Sequence, residues 1–216
     1  MGLRDIITGR HTVSGPAKQD RLFAITTAYV TLQAEHSIEP AGVAAIVFQA
    51  LANADFESTL KDMEEVVKAT GGDSGTSVRS QNDEYGYRWL VLRNPGEGGA
   101  IEDLAVGINA VSSSIETAGY GERLLCAVFA FSDHSGAAGG PVGGSGASPA
   151  GTGRKVYFIY NYKRGYWYPF VPGNGDANKP NERSTERELQ LKAQMASELP
   201  IEPELERWFP LWGIPI

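Results

Sequence analysis

Apolar residues at 101–115 keep the strictest period in the chain: Ile101, Leu104, Ile108, Val111 and Ile115 recur at steps of three and four. That spacing puts them on one face of an α-helix, with Glu102 and Asp103 favourably placed in its first turn and Gly119 just beyond its end. A second helix is predicted from Asp55, with Phe56, Leu60, Met63 and Val67 as its apolar stripe. Its wet face pairs Glu57 with Lys61 and Glu64 with Lys68, and Gly71 and Gly72 stop it. Leu22, Ile25, Tyr29 and Leu32 predict an earlier helix ending at Pro40 and Gly42, although Thr26, Thr27, Val30 and Thr31 pull toward strand. Near the end of the chain, Thr185 and Glu188 have the spacing of a capping box, and Leu189, Lys192, Met195 and Leu199 would line one side of the helix that follows.

Strand signals lie between these helices. Residues 43–49 form a short apolar run rich in branched side chains, and 76–81 and 87–93 form a hairpin across 82–86. Residues 124–131 are apolar on both faces, as in a strand interior to a sheet. Residues 156–162 and 166–171 predict a further hairpin across Lys163-Arg-Gly165.

Counted from residue 43, the order is strand, helix, strand, strand, helix, strand. This predicts an α+β fold with a ferredoxin-like βαββαβ core at 43–131, in which two helices cover one face of an antiparallel sheet. An aromatic β-hairpin, a final helix and a Pro/Trp-rich tail at 155–216 extend it. The whole is expected to be a single domain with an N-terminal arm at 1–19. Residues 135–153 contain Gly, Ala, Ser and Pro with too little apolar side chain to offset ordering entropy, so a flexible loop is expected there.

With 216 residues, 42% of them hydrophobic, the chain can build a proper core. Its formal net charge of -7 disfavours nucleic acid and anionic lipid as partners, because both need a basic footprint. The single cysteine, Cys126, excludes an intrachain disulfide and a cysteine-based zinc cluster, and in an interior strand it behaves as a small hydrophobe. The first residues lack the apolar run of a secretory signal, Ile6 does not suit a myristoylation pattern at Gly2, and no apolar run approaches the roughly 20 residues that span a bilayer.

Chemical motifs resolve into ordinary roles. Gly72-Asp-Ser-Gly75 resembles the neighbourhood of a serine-protease nucleophile, but the order of partners is wrong and a turn explains it. The glycines at 139–153 precede a strand and lack the Lys-Ser/Thr ending of a phosphate-binding loop. His11, His36 and His134 have no second ligand at metal spacing, and the acid pairs Glu64-Glu65 and Asp83-Glu84 read as solvated charge. No catalytic residue, cofactor or metal ligand is therefore expected.

The aromatic hairpin and the tail stand apart. Tyr157, Tyr160, Tyr162, Tyr166, Trp167, Tyr168 and Phe170 cannot all face one core if the strands alternate, so some rings must meet the tail or a partner. Residues 199–213 carry Trp208, Phe209 and Trp212 among three prolines, a segment suited to docking in extended form. Arg164 adds a planar cation able to stack or bind a carboxylate. Arg164, Tyr166, Trp167, Tyr168, Trp208, Phe209 and Trp212 thus form the expected interaction surface.

Met1-Gly-Leu-Arg-Asp with Gly9-Arg10, Tyr85-Gly-Tyr-Arg-Trp-Leu-Val, Leu124-Leu-Cys126, Tyr162-Lys-Arg-Gly-Tyr-Trp-Tyr-Pro-Phe170 and the segment from Leu199 to Gly213 resemble the PspA-associated protein PspAB family. The likeness covers most of the chain, with 135–153 as an insertion. The resemblance implies a cytoplasmic, non-catalytic accessory or adaptor protein encoded beside PspA, the membrane-remodelling phage-shock protein, and often near a membrane-bound zinc protease of the HtpX type. Its partner would be a PspA-like coiled-coil protein, reached by protein contact without direct membrane insertion. A small-molecule-binding regulatory module is the alternative, testable by thermal shift, and an unrecognised hydrolase using Asp83 or Glu84 is a further one.

Overall fold

Side chains that alternate along the central strands sort onto two faces of one sheet, and each face is buried by a different kind of cover. The computed structural model describes residues 16–51, 54–71, 75–96, 101–135, 153–173 and 181–216. Its elements run α1 (Pro16–Phe23), α2 (Ile25–His36), β1 (Ile38–Gln49), α3 (Ala54–Gly71), β2 (Ser77–Asn82), β3 (Tyr87–Arg93), α4 (Ile101–Thr117), β4 (Leu124–Asp133), β5 (Arg154–Asn161), β6 (Tyr166–Phe170) and α5 (Thr185–Met195). The six strands form one antiparallel sheet in the order β2-β3-β1-β4-β5-β6. The chain is α+β, as its alternation of periods predicts. No helix among the described residues is long and apolar enough to cross a membrane.

One face carries Ala44, Ile46 and Phe48 of β1, Leu90 and Leu92 of β3, Phe129 and Phe131 of β4, and Phe158 and Tyr160 of β5. The predicted stripes of α3 and α4 are buried against it, together with Leu22, Ile25, Ala28 and Leu32 of α1 and α2. Gly107 sets how closely α4 approaches: a Cβ there would lie 2.5 Å from Leu92 Cδ2. The other face carries Val43, Ala45, Val47, Trp89, Val91, Cys126, Val128, Tyr157, Ile159, Tyr168 and Phe170.

The start of β1 differs from expectation. The helix before it ends at Ser37, in the left-handed region with φ 54, and not at Pro40 and Gly42. The strand therefore begins at Ile38 and takes Pro40 into itself. This is tolerated because residues 38–40 pair with β4 alone, while pairing with β3 begins at Val43, so the missing N–H costs no ladder bond on that side. Gly42, with φ 67, lies in the irregular stretch where the β4 register shifts.

The last helix also differs. Ser184 precedes it without a side-chain cap bond, and Glu188 turns inward, away from the capping-box role expected with Thr185. Its buried residues are Glu188, Leu191 and Met195, whereas Leu189 is exposed. Residues two apart on a helix point to nearly opposite sides, so the face that packs into the core takes Leu191 and leaves Leu189 outside. The expected arm at 1–19 already contains the start of α1 at Pro16, while residues 1–15 lie outside the described residues. So do most of the expected loop at 135–153, Gly72-Asp-Ser of the protease-like motif, His11, and the side chain of Lys68 in the expected pair with Glu64.

Candidate interaction site at the aromatic hairpin and final segment

Strand alternation divides the aromatic residues of β5 and β6. Tyr160 and Trp167 face the helices, where the two rings pack 5.2 Å apart and Trp167 also meets Phe129 at 5.7 Å. Tyr157, Tyr168 and Phe170 face the other way and pack with the final segment. Residues 162–165 make the turn between the strands: the Asn161 side chain accepts from the N–H groups of Lys163 and Arg164, and Gly165 adopts φ 69.

Residues 200–208 are anchored to this hairpin. The Trp167 N–H donates to the Pro200 carbonyl at 2.9 Å and the Glu202 N–H donates to the Trp167 carbonyl at 2.7 Å, so Ile201 makes a parallel bridge with Trp167 on the outer edge of β6. Arg164 then clamps Glu202 in a bidentate pair, Nε to Oε2 at 2.6 Å and an Nη to Oε1 at 3.0 Å, and reaches Glu204 at 3.0 Å. The Glu202 side chain is only 3% exposed, and the two parallel bonds suit the guanidinium fork. Hydrogen bonding to Glu202, above all, raises the Arg164 pKa. The same guanidinium lies 5.9 Å from the centre of the Tyr166 ring, and Arg21 lies 5.1 Å from it.

Trp208 is held on every side. It stacks on Tyr168 with centroids 6.2 Å apart, its indole N–H donates to the Glu202 carbonyl at 3.0 Å, and its own carbonyl accepts from Arg183 at 2.8 Å. Lys192 lies 5.7 Å above its ring. Arg183 is positioned by buried Glu188, which also accepts from the Val171 N–H at 2.9 Å. Beyond this point the segment crosses the sheet face: Trp212 meets Phe170 edge-on at 5.1 Å, and the Tyr157 hydroxyl donates to the Ile216 oxygen at 3.4 Å.

Of the seven expected surface residues, Trp167, Tyr168 and Trp208 are buried within the chain, Arg164, Tyr166 and Trp212 are half-buried, and Phe209 is 58% exposed. Trp167 lies in the cluster on the helical face, whereas Tyr168, Trp208 and Trp212 lie in the cluster on the opposite face. The sequence offers stacking or a carboxylate for Arg164, and the structure supplies both, in Tyr166 and Glu202. The pairs of Arg183 with Glu188, five residues apart, and of Arg187 with Asp133 at 2.9 Å, 54 residues apart, leave no signal in the sequence, because neither spacing is a helix or strand repeat. Burial pushes the Tyr157 hydroxyl up to about 12 and Tyr168 well above its ordinary value, so both are neutral donors under ordinary conditions.

A family model for PspA associated protein B matches residues 1–216, the whole chain. The chain belongs to the PspA associated protein B family. No curated protein and no solved structure matches it. The family is named for association with PspA and is not a known enzyme family.

Elsewhere, candidate chemistry is committed to structure. Asp83 accepts from the N–H groups of Tyr85 and Tyr87 and from the Trp89 indole at 2.8 Å, which fixes the β2–β3 turn. Cys126 is buried, and burial raises its thiol to about 12. No group of three or more potential metal-ligating side chains occurs among the described residues.

Proposed function

We propose that this chain is a non-catalytic adaptor of a PspA-type envelope-stress system, and that it works in the cytoplasm through protein contacts. Family membership over the whole chain carries this reading, since the family takes its name from association with PspA. The contact surface would be the outer side of the hairpin and final segment. Phe209 and Leu205 stand out of that segment at 58% and 45% exposure, and the anchored residues behind them hold it in a fixed shape. Aromatic side chains and arginine on a rigid support are the usual makings of a binding hot spot. The partner would be a PspA-like coiled-coil protein, with any membrane recruitment passing through it. Residues 38–133 follow the strand order of a split βαβ unit, which supports a ferredoxin-like reading of the core. The test is a pull-down with the tagged full chain under envelope stress. Recovery of a PspA-like protein, reduced at least about tenfold by Phe209→Ala with an unchanged melting temperature, supports the proposal; no recovery sinks it.

A small-molecule reading has one observation in its favour. Glu116, Gly119, Gly121, Glu122, Leu124, Tyr162 and Lys163 line a half-open crevice of about 510 Å³, a size suited to a metabolite. A stabilising compound in a thermal-shift screen, lost in Glu122→Gln, would support this alternative.

A further inference from the structure

The final segment consists of two parts with different attachments. Residues 200–208 are held by a strand bridge, a bidentate ion pair and two bonds to Trp208. From Phe209 onward, among the described residues, the backbone makes a turn at Trp212–Gly213 and no backbone–backbone bond to the rest of the chain. What holds this stretch is the Tyr168 hydroxyl on the Phe209 carbonyl at 3.0 Å and the Tyr157 hydroxyl and Lys155 ammonium on the Ile216 oxygen, both at 3.4 Å. Its apolar residues Leu211, Trp212, Ile214 and Ile216 are only half-buried, yet the side chains of the face beneath them are closed off from water. Val128, Tyr157, Ile159 and Phe170 are at most 3% exposed. The register lines Ala130, Tyr157 and Phe170 across three strands, with Val128, Ile159 and Tyr168 as the next row, so the floor is a flat apolar trough.

We infer that residues 210–216 are a displaceable strap, hinged at the exposed Phe209-Pro210 step, that opens while the rest of the fold stays intact. Local opening requires breaking few bonds, whereas the anchor opens only with the sheet edge. When raised, the strap uncovers the trough, which then takes an extended apolar segment of the strap's own chemistry: large side chains punctuated by proline. The strap stands on its own geometry; a partner segment as the physiological occupant rests on the adaptor reading.

The full chain labelled with 5-fluorotryptophan gives one fluorine signal for each of its four indoles, with Trp212 identified by Trp212→Phe. The Trp212 signal alone is expected to show millisecond exchange. Under native conditions chymotrypsin is expected to remove residues 212–216 about 100-fold faster than global unfolding permits, at a rate indifferent to low urea. A peptide copying residues 209–216 with an added lysine tail, at millimolar concentration to match a tethered competitor, is expected to drive the Trp212 signal to its solvent-exposed position. Cleavage that tracks global unfolding, or a Trp212 signal unmoved by the peptide, overturns the inference. Peptide displacement together with a failed pull-down keeps the strap and counts against the adaptor reading alone.

Discussion

The two faces of the sheet are buried equally well by unlike means. On the helical face, Phe48, Leu92, Phe129 and Phe158 share one buried cluster with the stripes of α2, α3 and α4, at full exclusion of water. On the opposite face, a largely extended segment with one 3-10 turn at Leu205–Arg207 covers Tyr168 and Phe170, and polar ties supply what regular packing does not. Helices satisfy their own backbone groups and so cover a sheet with apolar contact alone. An extended segment must find partners for its C=O groups, and Arg183, Tyr168 and Tyr157 donate to those of Trp208, Phe209 and Ile216, while Arg164 binds the Glu202 and Glu204 carboxylates.

Removing a large ring from the helical side is the strongest way to break the comparison. Trp167→Ala deletes a fully buried indole and its 2.7 Å bond to the Arg21 carbonyl, and is expected to lower unfolding free energy by about 4 kcal/mol in urea titrations. Arg164→Ala acts on the other face. It strands the buried Glu202 carboxylate and is expected to lower stability by about 3 kcal/mol, with Arg164→Ala/Glu202→Leu recovering much of the loss. If the single variant unfolds at the wild-type urea concentration, the polar ties do not hold the segment.

pH sharpens the comparison. Burial raises the Asp133 pKa, but hydrogen bonds from Ser135 and the Arg187 guanidinium outweigh it and leave the group below its ordinary value. A lowered folded-state pKa means a contribution present above about pH 4 and lost as pH falls through the folded value. Urea midpoints should therefore fall on acidification, and less steeply in Asp133→Asn. At the alkaline end, burial raises Tyr157, Tyr160, Tyr162 and Tyr168. Groups with raised folded-state pKa values contribute fully below the unfolded value and lose that contribution above it, so stability should decline from about pH 10 upward. Tyrosinate absorbance that appears together with unfolding would confirm this. The smallest effect is expected at Leu189→Ala and Phe209→Ala, within about 0.5 kcal/mol, because both side chains already stand in solvent.

Much of the fold was legible wherever a residue's fate follows from its own neighbours in the chain. The stripe of α4 and the strand at 87–93 follow from period and composition, because each is set by local geometry. The alternation argument likewise required some rings of the aromatic hairpin to find cover away from the helices. Local pattern misled at β1, where Pro40 reads as a terminator but lies in the first stretch of the strand, residues 38–40, which pairs with β4 alone. It failed again at α5, where Glu188 has the spacing of a cap and serves as a buried counter-ion to Arg183.

The sequence by itself determined the order of helices and strands, an acidic surface and a final segment too apolar to remain in water. Only the tertiary structure decided that Trp208 lies on Tyr168, that Arg164 seizes Glu202 across 38 residues, and that Phe209 alone of the three tail rings faces outward. Periodicity is a property of one segment and can be read from it. Pairing between segments depends on which strand edges and faces remain open once the sheet has formed, and no local pattern records that.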